Sequence, residues 1–133
     1  MSTAQAICPC CPCGTGLKLP ECCGRWHEGP QRLQAPDAQA LMRSRYSAYA
    51  LGRLHYLLDT WHPSTRPASL DALPPELKWL GLEVRRYACT GPTGAEVEFV
   101  ARSKWGGKAN RLHETSHFVL EAGQWWYVDG QVR

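Results

Sequence analysis

Apolar residues recur with a helical period in the first half of the chain. One stripe over residues 38–52 comprises Leu41, Arg45, Ala48, Tyr49 and Gly52, with Met42 and Tyr46 beside it. This spacing predicts a helix, and Asp37 is a good N-cap for it. A second helix is predicted over 54–61 and should end at His62-Pro63, because a residue before proline avoids the helical region. A short third helix is predicted over 68–73.

From residue 77 onwards, apolar and polar residues alternate, which is typical of strands. The alternation predicts strands over 79–85, 96–102, 112–120 and 125–129, separated by glycine-containing turns at 91–94, 105–108 and 122–123. Such short connections indicate an antiparallel meander. Helices followed by a meander predict an α+β fold in which the helices cover one face of the sheet.

Composition limits the class of protein. The 133 residues suffice for one compact domain, predicted over 31–133, and a Cys/Gly/Pro-rich appendage over 1–30. No apolar run approaches the ~18 residues of a membrane-spanning helix. The first residues lack the basic start and long apolar stretch of a secretory signal, so a cytoplasmic protein is expected. The net charge of +3 is mild and does not by itself indicate a nucleic-acid partner.

Six of the seven cysteines lie in the first 23 residues. Thiols stay reduced in the cytoplasm, where clustered cysteines are more often metal ligands than disulfides. The pattern Cys-x-Cys, eight residues, Cys-Cys can surround one Zn²⁺ with four sulfur atoms, which leaves no open coordination position and predicts a structural ion. Two alternatives stay open: Cys8 and Cys10 could replace Cys11 and Cys13, or His27 could replace Cys23.

Two charged residues stand among apolar neighbours in the body of the chain. Glu114 shares a predicted strand face with Leu112, Ser116, Phe118 and Leu120, and Arg45 lies in the apolar stripe of the first helix. A buried charge needs a partner, so one hypothesis is that Arg45 and Glu114 meet inside the fold. The alternative is that Arg45 extends to solvent and Glu114 lies at a rim.

A pocket is one interpretation of these charges and the aromatic residues around them. Its candidate residues are Arg45, Tyr46, Tyr49, Trp61, His62, Glu114 and Ser116, with Tyr56, Trp79 and Trp125 considered beside them. The conservative interpretation is that most of the aromatic residues are simply core. No nucleophile–base order, phosphate-binding loop or credible pair of acids emerges, so an enzyme is not favoured.

Several single residues receive structural roles. His62 is expected to cap the second helix and favour its dipole, Asp129 is expected in a turn, and Cys89 is expected to be a packed thiol. The basic hairpin 102–111, with Trp105 at its turn, could contact RNA, a ribosome surface or an acidic partner. The usual interpretation is a solvated hairpin tip.

The cysteine pattern, with Cys11-Pro12-Cys13-Gly14-Thr15-Gly16 and Cys22-Cys23, resembles the SEC-C motif, a small zinc-binding knuckle found at the C-terminus of the SecA translocation ATPase. The body resembles the YchJ-like family of bacterial proteins. The matching segments are residues 41–49, 60–64, 79–82, 99–102, 114–118 and 124–130. The resemblance implies a nuclear transport factor 2-like domain, in which a curved antiparallel sheet and packed helices enclose a conical pocket.

The resemblance also implies functional expectations. It favours Cys11, Cys13, Cys22 and Cys23 as the ligands of a structural zinc ion. The first functional hypothesis is a protein-interaction or adaptor module whose knuckle offers Leu17, Lys18 and Leu19 to a partner, with a chaperone or ribosome implied by analogy with the SecA tail. The alternative is a small-molecule binder or enzyme that uses Arg45 and Glu114 in the cone. An enclosed cavity that contains both charges would favour the small-molecule binder or enzyme. A cone filled with apolar side chains would favour the protein-interaction module. A homodimer formed through the sheet is also expected from this fold.

Overall fold

A computed structural model describes residues 10–133. Cys8, an alternative ligand, lies outside this range. A short 3-10 turn at Leu19–Glu21 is followed by helices α1 (Gly24–His27), α2 (Ala38–Leu51) and α3 (Leu54–Asp59). Four strands complete the chain: β1 (Lys78–Gly91), β2 (Gly94–Trp105), β3 (Lys108–Glu121) and β4 (Gln124–Val132).

The strands form one antiparallel sheet in the order β1-β2-β3-β4. Short turns at the predicted positions join them, and the predicted α+β fold with its meander is confirmed. Register shifts interrupt β1 between Trp79 and Gly81 and between Val84 and Arg86. Such bulges bend a strand and increase its twist. The sheet therefore presents its inner face to the helices.

Helix α2 connects the sheet to the N-terminal segment. It begins where predicted, because the Asp37 carboxylate accepts a hydrogen bond of 2.7 Å from the Ala40 backbone N–H. Its buried side chains include Leu41, Met42 and Tyr46, and it packs against β1, β2 and β4. On the other side it contacts α1. This helix therefore lies between the cysteine segment and the sheet.

We expect Asp37→Ala to lower the free energy of unfolding by about 1 kcal/mol, since the mutation removes the side-chain acceptor at the N-terminus of α2. Urea denaturation measures the effect. Asp71→Ala is the matched control, because Asp71 is exposed in a segment without regular structure. Equal stabilities of the two variants would contradict the assignment of Asp37 as a stabilising cap.

Two helix predictions were wrong in detail. Residues 68–73 form no helix, because Leu73 precedes Pro74, which disfavours helical geometry, and little of this exposed segment packs on the core to support a short helix. Helix α3 ends at Asp59 and not at Trp61, since Trp61 forms a bridge with Tyr127 and the backbone N–H of His62 donates to the Tyr127 carbonyl at 2.8 Å.

The cysteine segment and the body share one hydrophobic core. Cys11, Cys13, Cys22, Cys23 and Trp26 are buried in the same cluster as the apolar side chains of α2, α3 and the inner sheet face. Cys89 does not join them: the prediction of a packed thiol was wrong, because β1 carries this residue on an exposed position. Among the described residues, no helix has the length and apolar character needed to cross a membrane.

Candidate metal centre and candidate ligand cavity

Cys11, Cys13, Cys22 and Cys23 converge at the base of the N-terminal segment. Their four Sγ atoms all lie within 4.8 Å of one another, and all four residues are buried. Gly14 and Gly16 adopt φ angles of +90° and +85°, which side chains rarely tolerate, and they return the chain so that the Cys11 N–H bonds the Leu17 carbonyl at 2.8 Å. The two cysteine pairs thereby face each other.

The sulfur positions fit a single metal ion. Four ligands at about 2.3 Å around a tetrahedral Zn²⁺ lie about 3.8 Å apart. The Sγ atoms of Cys13 and Cys22 lie 3.6 Å apart, close to that separation. The cluster offers four sulfur atoms and no carboxylate. This donor set suits a soft or borderline metal such as zinc. The arrangement could therefore hold one metal ion.

Helix α2 forms hydrogen bonds with the cysteine segment through two of its side chains. Ser47 Oγ lies 3.3 Å from Cys11 Sγ, and Arg43 Nη1 donates to the Cys13 carbonyl at 2.9 Å. Within the knuckle, Thr15 Oγ1 lies 3.1 Å from Cys22 Sγ. Hydroxyl groups beside sulfur can donate to thiolates, and such outer partners fix ligand orientation. The sulfur cluster is therefore attached to the body by hydrogen bonds as well as by packing.

The thiols compete for protons. Hydrogen bonds from Cys13 and Cys23 lower the pKa of Cys11, whereas the hydrogen bond with Cys11 is the largest cause that raises the pKa of Cys13 and of Cys23. Burial also raises the pKa of all three thiols, because it penalises the charged form. One thiolate can thus be accommodated by its neighbours, but several thiolates require a cation.

Of the alternative ligands within residues 10–133, neither His27 nor Cys10 joins the cluster. The His27 ring is buried and donates from Nε2 to the Ser44 carbonyl at 2.7 Å, while Nδ1 accepts from Arg53 Nη1 at 3.1 Å. Burial lowers the pKa of His27, consistent with a neutral ring in this role. Cys10 is exposed, and its backbone bridges to Lys18. The sulfur cluster of the described residues does not include it.

We expect His27→Gln to leave the metal content of the protein unchanged, because both ring nitrogens of His27 already contact Ser44 and Arg53 and the residue is not part of the sulfur cluster. The lost ring contacts, including the packing on Tyr56 at 4.6 Å between ring centroids, should lower the free energy of unfolding by about 1–2 kcal/mol. Elemental analysis and urea denaturation measure the two quantities. A loss of metal from the His27→Gln variant would contradict this expectation and support His27 as a metal ligand.

A cavity of about 280 Å³ lies between α2 and the inner face of the sheet. Of the predicted pocket residues, Arg45, Tyr46, Tyr49, Glu114 and Ser116 line it. Most of the remaining lining is apolar or aromatic, including Trp79, Phe99, Phe118 and Tyr127. The cone therefore contains a space with one cation and one carboxylate on its walls.

Arg45 is only 5% exposed and is fixed by the end of α3. Its Nη1 donates to the Leu57 carbonyl at 2.8 Å and to Thr60 Oγ1 at 2.7 Å. Its Cζ lies 4.3 Å from the Tyr127 ring centroid and 5.1 Å from that of Trp61, within the range of cation–π attraction. Burial lowers the pKa of Arg45, but a guanidinium keeps its proton in proteins.

Arg45 and Glu114 line the same cavity without direct pairing. No ion pair within 4.0 Å joins them in the described part of the chain. The Glu114 Oε2 atom instead accepts a 2.8 Å hydrogen bond from Ser116 Oγ. The Glu114 carboxylate also lies against Gly130 of β4, where a Cβ atom would overlap it. The hypothesis that Arg45 and Glu114 form an ion pair was therefore too specific, although both residues line the same cavity.

The structure places two of the predicted pocket residues outside the cavity lining. Trp61 stacks behind Arg45 and packs edge-on against Tyr127 at 5.1 Å, because its backbone bridges to β4. His62 lies beyond it, with Nδ1 bound to Ser64 and Nε2 3.2 Å from Glu121 Oε2. Since α3 has already ended, His62 does not cap it.

Other residues also differ from the sequence interpretation. Tyr56 packs on His27 of α1, and its hydroxyl lies 2.6 Å from Ser44 Oγ of α2. Tyr127 lines the cavity but was not predicted to do so. Burial and the Glu114 charge raise the pKa of Tyr127 to about 12, so its phenol stays protonated. Within the run Trp125-Trp126-Tyr127, Trp125 was considered for the pocket but does not line it. A register shift between β3 and β4 lies next to the pair Phe118 and Tyr127, and such a shift leaves no signal in the sequence.

The remaining charged features lie outside the cavity lining. Asp129 receives a 2.7 Å contact from His117 Nδ1 in β3, so it is a strand residue and not the predicted turn residue. In the basic hairpin, Trp105 is exposed, and Arg102 lies 3.7 Å from Glu83. One of the four cations is therefore already compensated, which weakens the interpretation of this hairpin as a nucleic-acid surface.

Comparison with known proteins agrees with the described architecture. A UPF0225 protein of Bordetella pertussis is 55% identical over 123 residues, covering 92% of each chain. A UPF0225 protein of Chromobacterium violaceum is 60% identical over 126 residues, with the same coverage. The solution structure of a SEC-C motif-containing protein from Rhodopseudomonas palustris is 34% identical, with a TM-score of 0.79 and coverage of 92% of this chain and 98% of the other.

The family comparison covers the body of the chain. A crystal structure of a SEC-C motif-containing protein from Psychrobacter arcticus is 29% identical, with a TM-score of 0.74, and covers all of this chain and 86% of the other. Residues 37–130 match the family described as the middle, nuclear transport factor 2-like domain of YchJ. The chain therefore belongs to the YchJ-like family of bacterial proteins.

Proposed function

We propose that Cys11, Cys13, Cys22 and Cys23 bind one zinc ion and that this ion is structural. The observation that supports the proposal is the convergence of four buried sulfur atoms on a spacing that suits a tetrahedral ion. Such an ion would compensate the charge of several thiolates, and four protein ligands would leave it no open position for chemistry. The residues that hold it also hold the knuckle against α2.

Native mass spectrometry of freshly reduced, full-length protein tests the zinc proposal. We expect one zinc ion per chain in the wild-type protein and none in Cys22→Ser. Wild-type protein that takes up no zinc under these conditions would overturn the proposal.

We further infer that the body binds a small molecule in the cone. The supporting observation is the cavity of about 280 Å³ that has both Arg45 and Glu114 on its walls. A purely structural cone gains stability by filling this space with apolar side chains. A mostly apolar cavity with a few polar groups is typical of ligand sites. The space is half open, so it is neither the enclosed cavity nor the filled cone expected from the sequence, and its charged and aromatic lining supports binding in the cone.

Thermal denaturation in size-filtered bacterial extract tests this inference. We expect a fraction of the extract to raise the melting temperature of the wild-type protein but not that of Leu112→Trp, which fills the cavity from β3. Leu80→Trp is the matched control, because Leu80 is 59% exposed on β1, and it should respond like the wild type. If no fraction stabilises the wild type, the small-molecule function is wrong.

A second candidate function is an adaptor surface on the knuckle. Leu17 is 48% exposed and Lys18 is exposed beside it, whereas Leu19 is half-buried and packs in part on the core. An exposed apolar residue on a rigid, metal-organised turn suits a protein partner. Analogy with the SecA tail implies a chaperone or ribosome. Leu17→Glu should retain zinc but lose capture of a chaperone or ribosome, and equal capture by both proteins would exclude this surface.

A further inference from the structure

The geometry points to a small aromatic carboxylate as the ligand of the cavity, with its carboxylate on Arg45 and a second, hydrogen-bond-donating group on Glu114. This inference rests on the small-molecule function proposed above and names the chemical class of its ligand. Three observations support it: the free donors of Arg45, the aromatic walls, and the acceptor character of the Glu114 end.

Arg45 presents unused donors to the cavity. A guanidinium carries five N–H groups, and the Nη1 group donates to Leu57 and Thr60. Among the described residues, no acceptor bonds Nε or Nη2, and no carboxylate lies within 4.0 Å of the guanidinium. The guanidinium has two hydrogen-bond acceptors and two aromatic rings around it but no anion in contact. A carboxylate is the group that matches two parallel guanidinium N–H donors. The Arg45 wall is therefore complementary to a ligand carboxylate.

The position of the guanidinium is fixed before a ligand arrives. The two hydrogen bonds of Nη1 attach it to the end of α3, and the rings of Tyr127 and Trp61 lie 4.3 and 5.1 Å from Cζ. A donor that is already oriented loses little conformational entropy on binding. These contacts favour a direct bond to a ligand over a mobile surface role for Arg45.

The walls and the size of the cavity indicate an aromatic body. Tyr46, Trp79, Phe99 and Phe118 contribute aromatic rings, and a volume of about 280 Å³ lies at the lower end of ligand pockets. Aromatic rings pack favourably on one another in offset or edge-on arrangements. A single-ring ligand fits this volume and lining better than a nucleotide or a long acyl chain.

The Glu114 end requires a donor from the ligand. One carboxylate oxygen accepts from Ser116, and no donor bonds the other oxygen among the described residues. Gly130 has no side chain, and the Glu114 carboxylate occupies the space where a Cβ atom of residue 130 would lie. An ionised carboxylate only accepts hydrogen bonds, so a hydroxyl or amino group is favoured there and a second ligand carboxylate is repelled. The cavity should therefore discriminate between the two ends of its ligand.

Calorimetric titration of the zinc-loaded, full-length protein with matched single-ring probes tests the inference. We expect para-hydroxybenzoate to bind and para-hydroxybenzamide to bind about tenfold to hundredfold more weakly, because the neutral amide has one acceptor oxygen and cannot form a two-oxygen ion pair with Arg45. Terephthalate, which has a carboxylate at both ends, should also bind more weakly than para-hydroxybenzoate. Varying the probe leaves the buried Arg45 and the fold intact.

Two variants locate the binding. Leu112→Trp should abolish binding of para-hydroxybenzoate, and Glu114→Gln should strengthen binding of terephthalate about tenfold relative to para-hydroxybenzoate. Undiminished binding in Leu112→Trp would place the ligand elsewhere and overturn the inference.

The remaining outcomes separate this inference from the small-molecule function. If the amide or para-hydroxybenzylamine binds as well as the carboxylate, and Leu112→Trp still blocks it, the ligand class is wrong and the cavity function stands. If none of the probes binds but an extract fraction stabilises the wild type, the class is again wrong. If neither probes nor extract bind, both proposals fail.

Discussion

Cys22→Ser is expected to abolish zinc binding and to lower the free energy of unfolding by about 5 kcal/mol. Zinc contributes roughly 10–16 kcal/mol to the folding of isolated zinc-finger peptides. The effect should be smaller here, because the body retains its own core of α2, α3 and the sheet. Loss of the ion should release the knuckle, including the buried Trp26. Urea denaturation followed by tryptophan fluorescence, with zinc measured in the same samples, gives both quantities.

Two other cysteines are the matched controls for this result. Cys89→Ser changes an exposed thiol of β1, and Cys10→Ser changes an exposed thiol adjacent to the cluster. We expect both variants to keep one zinc ion and to change the free energy of unfolding by less than about 0.5 kcal/mol. If Cys10→Ser loses zinc and Cys22→Ser retains it, the ligand set is wrong.

Arg45→Ala is expected to lower the free energy of unfolding by about 3 kcal/mol. The mutation removes charge-assisted bonds to Leu57 and Thr60, each of which contributes roughly 1.5–3 kcal/mol, and it enlarges the cavity beside Tyr127. Removing the buried charge offsets part of this loss. Urea denaturation of the zinc-loaded variant measures the result.

The partner variant Glu114→Gln separates local bonding from an ion pair. Since the Arg45 bonds go to α3 and not to Glu114, we expect Glu114→Gln to change the free energy of unfolding by less than about 1 kcal/mol. The double variant should show a coupling energy below about 1 kcal/mol, whereas residues in direct contact couple by 0.5–3 kcal/mol. A negligible effect of Arg45→Ala, or a coupling near 3 kcal/mol, would contradict this account.

The meander was predictable because its signals are local. Alternation gives each strand its two faces, and short glycine-containing turns leave antiparallel pairing as the simplest connection. Helix α2 was predictable for the same reason, from a clear stripe and the Asp37 cap. The third helix failed because periodicity over 68–73 competed with the prolines that follow, and the prolines determine the backbone there.

The candidate site was predictable only where residue chemistry was unusual. Four clustered cysteines indicated a metal centre, and Arg45 and Glu114 stood out as charges at apolar positions. The positions of Trp61 and His62 depended on a backbone bridge between residue 61 and β4, which no local pattern encodes. The role of Tyr127 depended on a register shift between β3 and β4, and the role of Gly130 on its closeness to Glu114.

Other expectations stay predictions. The division into 1–30 and 31–133, a cytoplasmic location, a homodimer through the sheet, and contact of the basic hairpin with nucleic acid each need their own experiment. The shared core of the cysteine segment and the body bears on the first of these, because it links metal binding to the stability of the whole chain.

X-ray absorption at the zinc edge of the reduced, zinc-loaded protein tests the metal centre most directly. The account predicts a single shell of four sulfur atoms at about 2.3 Å. A shell that contains nitrogen or oxygen atoms, or fewer than four sulfur atoms, would contradict the assignment of Cys11, Cys13, Cys22 and Cys23 as the complete ligand set.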